Sequence, residues 1–212
     1  MGSNEDLAAG VVRSLSPEID MIEDKELRQK VIDAWVLALS ETEFKSIDEL
    51  SCSTMIGASH YPGKTQSHHQ RGVGRIARSI AEAMNEFIRD RGVQLDLDIA
   101  LICGLCHDLG KPFIYDSDNQ KRWTANRSTV GYPPYRHTVK GGMLALEAGL
   151  PEEIVHAVIT HDVNMDGKFV RASMYTQIVW RADSAYWTIL RGYDFMEEEE
   201  PIPFLQKGQY AG

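Results

Sequence analysis

Six residues in this chain have the types and the order of a metal-ligand set: His69, the adjacent pair His107-Asp108, His137, His161 and Asp183. The pair closes the segment Leu101-Ile-Cys-Gly-Leu-Cys-His-Asp-Leu-Gly-Lys111, an almost wholly apolar run that ends in a histidine, an aspartate and a lysine. Leaving a carboxylate buried there without a partner is costly. A cation held by both side chains removes that cost, so metal chemistry is the leading reading. Singly, the residues say less. A lone His69 on an apolar stripe is commonly a hydrogen-bonded core residue. His107 at a helix end could simply face the helix dipole, followed by a solvated Asp108. Asp183 is harder to explain without a partner, because it sits on an apolar helical face and Arg181 is too close in sequence to share that face. His60, His68 and His156 are read as non-ligands. His68 points off the stripe that carries His69, and His156 lies about 140° around a helix from His161.

Such a set needs helices to bring it together. Leu27, Val31, Trp35 and Leu39 recur every four residues between Asp24 and Ser40, which is one face of an amphipathic helix. A long helix is expected from Ser67 to Arg89, with Val73, Ile76, Ile80, Met84 and Phe87 as its buried stripe. Asp96 to His107 fits a central buried helix, stopped by Gly110 and Pro112. His137 to Leu150 reads as helix, and Gly141-Gly142 in it would admit another helix or a metal centre at close range. Pro151 opens the next helix, to about His161. Ala172 to Arg191 forms the last, with Val179, Asp183, Tyr186 and Leu190 facing inward. Ser51 to Gly63 and residues 112–136 read as loops. Residues 1–20 read as a polar, weakly ordered lead-in, and the tail from Phe195 as extended. No run alternates in the manner of a strand. The expected architecture is all-α and single-domain. It comprises an N-terminal extension with one amphipathic helix (1–60), a metal-binding catalytic domain (61–192) and an acidic tail (193–212).

Charge narrows the partners. The net charge of −9 over 212 residues argues against a nucleic-acid polymer. Residues 61–140 nevertheless hold 12 Lys/Arg against 8 Asp/Glu, a net of +4 that leaves −13 elsewhere. The basic segment is the one with the proposed centre, as a small anionic substrate requires. No apolar run approaches the roughly 18 to 20 residues that span a membrane, and the first residues lack a secretory pattern. A cytoplasmic location away from the membrane is therefore expected. The three cysteines do not suggest a disulfide framework. Cys103 and Cys106 have C-x-x-C spacing without the second pair that a zinc site needs, and read as core. Phosphate loops, nucleophile elbows and dinucleotide fingerprints are absent from the sequence.

The order His69, His107-Asp108, Asp183 resembles the HD-domain superfamily of metal-dependent phosphohydrolases, and Gly104-Leu-Cys-His-Asp-Leu-Gly-Lys111 is similar to its signature. The stretch from His137 and Gly141 through Gly149-Leu-Pro-Glu-Glu-Ile154 to Ile159-Thr-His161 resembles the subfamilies that hold two metals. The likeness covers roughly residues 65–190. It implies an HD-type helical bundle around a dinuclear centre. One metal would take His69, His107, Asp108 and Asp183. The other would take His137, His161 and a bridging Asp108. Mixed imidazole and carboxylate donors suit iron, manganese, cobalt, nickel, zinc or magnesium as divalent ions, and family members often use iron or manganese. The implied reaction is attack of a metal-activated hydroxide on a phosphate ester or anhydride of a small substrate, nucleotides included. Asp108 and Lys111 would be the catalytic residues. Lys111, Arg122, Arg127, Arg136 and Lys140 are candidates for holding phosphate. Trp123, Tyr132 and Tyr135 could stack on a base or cover the core. Two other readings stay open. One is a mixed-valent di-iron oxygenase of the same fold, acting on a polyol or hydroxyphosphonate. The other is a non-catalytic metal or nucleotide sensor, against which the presence of all six ligands argues.

Overall fold

A computed structural model describes residues 3–53, 59–162, 172–193 and 195–198. The expected loop around Gly167 and the tail beyond 198 lie outside the described residues. Ten α-helices are described: α1 (Asn4–Leu15), α2 (Lys25–Ser40), α3 (Gln66–Ile88), α4 (Leu97–Cys106), α5 (Lys111–Tyr115), α6 (Ser117–Ala125), α7 (Arg127–Val130), α8 (His137–Glu147), α9 (Glu152–Thr160) and α10 (Met174–Gly192). The fold is the helical bundle that the periodicities predict. Among the described residues, no helix is long and apolar enough to cross a membrane.

At the middle lies α4, apolar on every side. Asp96 caps it by accepting from the backbone N–H groups of Asp98 and Ile99. From Ile99 to Cys106 every residue is buried. Burying Leu101, Ile102 and Leu105 stabilises the fold by about 1.5–3 kcal/mol each. The closest neighbour is α3, and glycines make that approach possible. A Cβ on Gly104 would lie 2.5 Å from the Gly74 Cα, so this crossing requires hydrogen at position 104. On the far side, Trp35 of α2 donates its indole N–H to the Leu105 carbonyl at 3.2 Å.

Several sequence expectations change. The predicted lead-in is a helix. Ser3 and Asp6 form a reciprocal capping box at its start, and Leu7, Val11 and Leu15 bury one face in the common core. Those three share a face at four-residue spacing, in a short stretch otherwise made of small residues, Val12, Arg13 and Ser14. Next, the buried residues of α3 are Gln66, Ser67, His69, Gln70, Val73, Gly74, Ala77 and Ala81, while Ile76 and Ile80 are only partly buried against the core. Met84 is 36% exposed and Phe87 76% exposed. With 23 residues, α3 is about 34 Å long and overruns the 10-residue α4, about 15 Å long, so its last turns meet solvent. Finally, a small antiparallel sheet in the order β1-β2-β3 stands where a loop was expected. It joins β1 (Ser51–Ser53), β2 (Ser59–Thr65) and β3 (Glu197–Glu198). These strands are too short to show alternation, and their pairing spans the chain.

The 112–136 connection folds into α5, α6 and α7. Phe113, Ile114 and Trp123 build a second small core there, with Tyr132 and Tyr135 packed on it. Tyr135 stacks on Phe113 with ring centroids 5.3 Å apart. Trp123 therefore covers a core, one of the two roles open to it in the sequence. Cys52, Cys103 and Cys106 are buried free thiols. Burial pushes the Cys103 and Cys106 thiols well up, which suits inert packing.

Candidate metal centre

Helix ends deliver the ligands. His107 is the last residue of the α4 turn pattern and Asp108 follows it. His137 is the first residue of α8, and His161 caps the end of α9. His69 sits in the first turns of α3 and Asp183 midway along α10. Another glycine permits the convergence. A Cβ on Gly110 would lie 2.0 Å from the His137 carbonyl oxygen, so the turn after Asp108 reaches the start of α8 only with glycine at that position. Tyr186 and Trp187 of α10 both pack against the His69 ring, each 4.7 Å away between centroids.

Four of the predicted ligands, the histidines, surround the Asp108 carboxylate, and Asp183 approaches the set at His69. Asp108 Oδ2 lies 3.2 Å from His107 Nε2 and 3.4 Å from His69 Nε2. The two Nε2 atoms are 3.1 Å from each other, and His69 Nε2 is 3.4 Å from Asp183 Oδ1. Its other oxygen, Oδ1, lies 3.2 Å from His137 Nε2 and 4.0 Å from His161 Nε2, which are 3.3 Å apart. Two sets of donor atoms are therefore compact enough for an ion each: His69, His107 and Asp108; and Asp108, His137 and His161.

The donor chemistry fits a cation. His107 Nδ1 lies 2.7 Å from the Gly104 carbonyl and His161 Nδ1 2.9 Å from the Val158 carbonyl. A carbonyl only accepts, so each Nδ1 carries a proton, and the neutral form of either ring presents its Nε2 lone pair on the Asp108 side. Lone pair facing carboxylate is repulsive unless a positive charge lies between. Asp183 Oδ1 is buried with no hydrogen-bond partner, although the side chain as a whole is 25% exposed. Donors about 2.1 Å from one ion at right angles stand roughly 3 Å apart, close to these separations.

Electrostatics prepare the set. Burial drives His69 down to about 3, against the pull of Asp108. Burial likewise lowers His137, and it takes His161 well below its ordinary range with the help of His107 and His137. These three rings are neutral and ready to ligate. At His107 burial also lowers the pKa, but the Asp108 charge outweighs it and the net shift is upward. Burial pushes the Asp108 carboxyl up, yet Lys111 and His107 outweigh it and hold the group well below the usual carboxylate range. Asp183 is pushed up to about 6, chiefly by burial, with Asp108 and Asp162 adding to it.

Lys111, predicted to face the substrate, is 3% exposed and turns inward. Its Nζ lies 2.9 Å from Asp108 Oδ2 and donates to the Ser53 carbonyl at 3.1 Å and Gln66 Oε1 at 3.5 Å. The other predicted cations spread out. Arg136 pairs with Asp162, and these two residues directly adjoin His137 and His161. Arg122 donates to Asn119 on α6, and Arg127 lies over the Tyr132 ring. Lys140 pairs with Glu41 and lies over Phe113. The three spare histidines stay outside the ligand set. His68 Nδ1 is 2.8 Å from the Tyr186 hydroxyl, His60 faces Glu197 at 4.0 Å, and His156 lies along α9 with a buried Nε2. One residue escaped the sequence reading: Gln66, which donates to Asp108 Oδ2 at 2.9 Å. The available signal was a polar residue three before His69 on the same helical face.

A family model of the HD domain matches residues 67–205, a span that holds all six predicted ligands. The chain belongs to the HD-domain family, part of a superfamily of metal-dependent phosphohydrolases, and its His/Asp groups could hold metal. No curated protein and no solved structure matches it.

Proposed function

We propose that this chain is a metal-dependent phosphohydrolase that cleaves a phosphate ester or anhydride of a small anionic substrate, with two divalent cations, iron or manganese foremost, sharing Asp108. The observation that carries this reading is the Asp108 carboxylate itself, with one histidine pair at each of its oxygens. When bound, such cations supply Lewis acidity toward a phosphoryl oxygen and lower the pKa of a water between them.

The chain's own residues do the rest. Lys111 keeps Asp108 ionised in a buried setting. Asp183 marks the mouth of the site, because its side chain is 25% exposed while those of the other five ligands are 1–7% exposed. Asp162 directly follows His161 and pairs with Arg136, which directly precedes His137. Arg136 is thus the cation best placed to exchange a protein carboxylate for a substrate phosphate, which its planar guanidinium can grip with two N–H groups. No nucleic-acid polymer or membrane enters this reading.

The test is a panel of phosphomonoesters, nucleotides and dinucleoside polyphosphates, supplied with Mn2+ or Fe2+. Released phosphate and oxygen uptake are measured together, for wild type and Asp108→Ala. Metal-dependent phosphate release that Asp108→Ala abolishes, along with metal retention, is the expected result. Oxygen uptake without phosphate release would move the chain to the oxygenase reading. Neither, with metal fully bound, would leave a sensor.

A further inference from the structure

Gln66 is fully buried and stands at the first position of α3, three residues before His69. Its amide can be oriented by chemistry alone. Oε1 faces the Lys111 ammonium, which only donates, so Nε2–H is the group that meets Asp108 Oδ2. The backbone N–H of Gln66 donates to the Leu50 carbonyl at 2.8 Å, and Lys111 reaches the Ser53 carbonyl. Gln66, Asp108 and Lys111 therefore close a ring of hydrogen bonds anchored on the chain around β1.

That ring answers a problem posed by the site. The terminal torsion of an aspartate is broad, and a carboxylate that must offer one oxygen to each histidine pair has to be stopped from turning. Histidines that give their Nε2 lone pairs to a cation have no N–H left on that side to hold it. Lys111 is a point charge on a flexible stem and fixes distance better than orientation. The Gln66 amide is planar, buried and clamped at both ends.

We propose that Gln66 is a positioning residue that sets the rotation of the Asp108 carboxylate, and so the placement of both cation positions, through Nε2–H to Oδ2. This rests on the metal-centre reading above, and the experiment separates the two. Wild type and Gln66→Met, which keeps length but loses the donor, are titrated with Zn2+ in competition with a chromophoric chelator. Their Co2+ absorption spectra and circular dichroism are recorded alongside. The proposal expects unchanged helix content, Zn2+ affinity about 10- to 100-fold weaker in the range typical of orienting groups around a metal, and a shifted cobalt spectrum. A merely structural Gln66 would lower thermal stability and leave both metal readouts alone. If Gln66→Met does not fold, Gln66→Glu preserves the shape while replacing the donor, and its cobalt spectrum gives the answer. Wild-type affinity and spectrum in the folded variant would overturn the role of Gln66 and leave the metal centre standing. A wild type that binds neither Zn2+ nor Co2+ would overturn the metal reading, and the role of Gln66 with it.

Discussion

Replacing Lys111 by Met removes the ammonium that stands 2.9 Å from Asp108 Oδ2 and fills its space with apolar atoms. Both partners are buried. Removing one member of a buried ion pair costs about 3–5 kcal/mol, because the other charge is left without compensation. At about 2–4 °C per kcal/mol for a chain of this length, the metal-free variant should melt roughly 6–20 °C below metal-free wild type near pH 8. The loss should shrink on acidification. With Lys111 present, the Asp108 pKa is depressed, so its contribution is full above the unfolded value near 3.8 and fades as pH falls through the folded value. Without Lys111, Asp108 can escape by taking up a proton. The gap therefore narrows as pH falls and closes only below the depressed folded-state value of Asp108. Saturating Mn2+ should also narrow the gap, because a cation on Asp108 replaces the missing charge. Scanning calorimetry of chelated and Mn2+-loaded protein at several pH values measures all three. A chelated variant that melts within 2 °C of wild type at pH 8, or an equal loss with and without metal, would refute the idea that Lys111 serves Asp108.

Three further outcomes are expected. His137→Ala should lower bound metal by about one equivalent per chain in elemental analysis and leave circular dichroism unchanged; full metal content would end the dinuclear reading. Metal affinity should rise with pH, because ligands must shed protons to bind. Asp183 gives one up around its raised value of about 6, and His107, also raised, gives one up above 6.5. Calorimetric titrations in buffers of different ionisation heat should therefore show proton release that falls as pH climbs from 5 to 8, and a flat profile would contradict those shifts. Leu15→Ala, at a fully buried position of α1, should destabilise by about 2–5 kcal/mol in denaturant unfolding. A loss under 0.5 kcal/mol would mean that α1 does not share the core.

The candidate ligand set was legible because its signal is local and chemical. His107, Asp108 and Lys111 interrupt an apolar run, and Asp183 interrupts an apolar face, so each advertises a partner whatever the rest of the chain does. Helices α2, α4, α8, α9 and α10 were legible for a related reason: covalent geometry fixes the helical period, and that period prints itself on the sequence. The buried stripe of α3 was misjudged because burial depends on where the neighbouring helix ends, which no pattern within α3 records.

By itself, then, the sequence determined α2, α3, α8, α9 and α10, the six candidate donors and the apolar helix α4 that carries the central pair. Only the tertiary structure decided what surrounds them. Lys111 turns in to Asp108, Arg136 takes Asp162, Lys140 takes Glu41, and Gln66, 42 positions from Asp108, becomes its hydrogen-bond donor. The sheet that anchors Lys111 through the Ser53 carbonyl is likewise a product of long-range pairing. The physical reason is one of range. Periodicity is written by bonds between neighbours, whereas the partner of a buried charge is chosen by helix ends that meet only after the chain has closed, and glycines such as Gly110 fix how near they come.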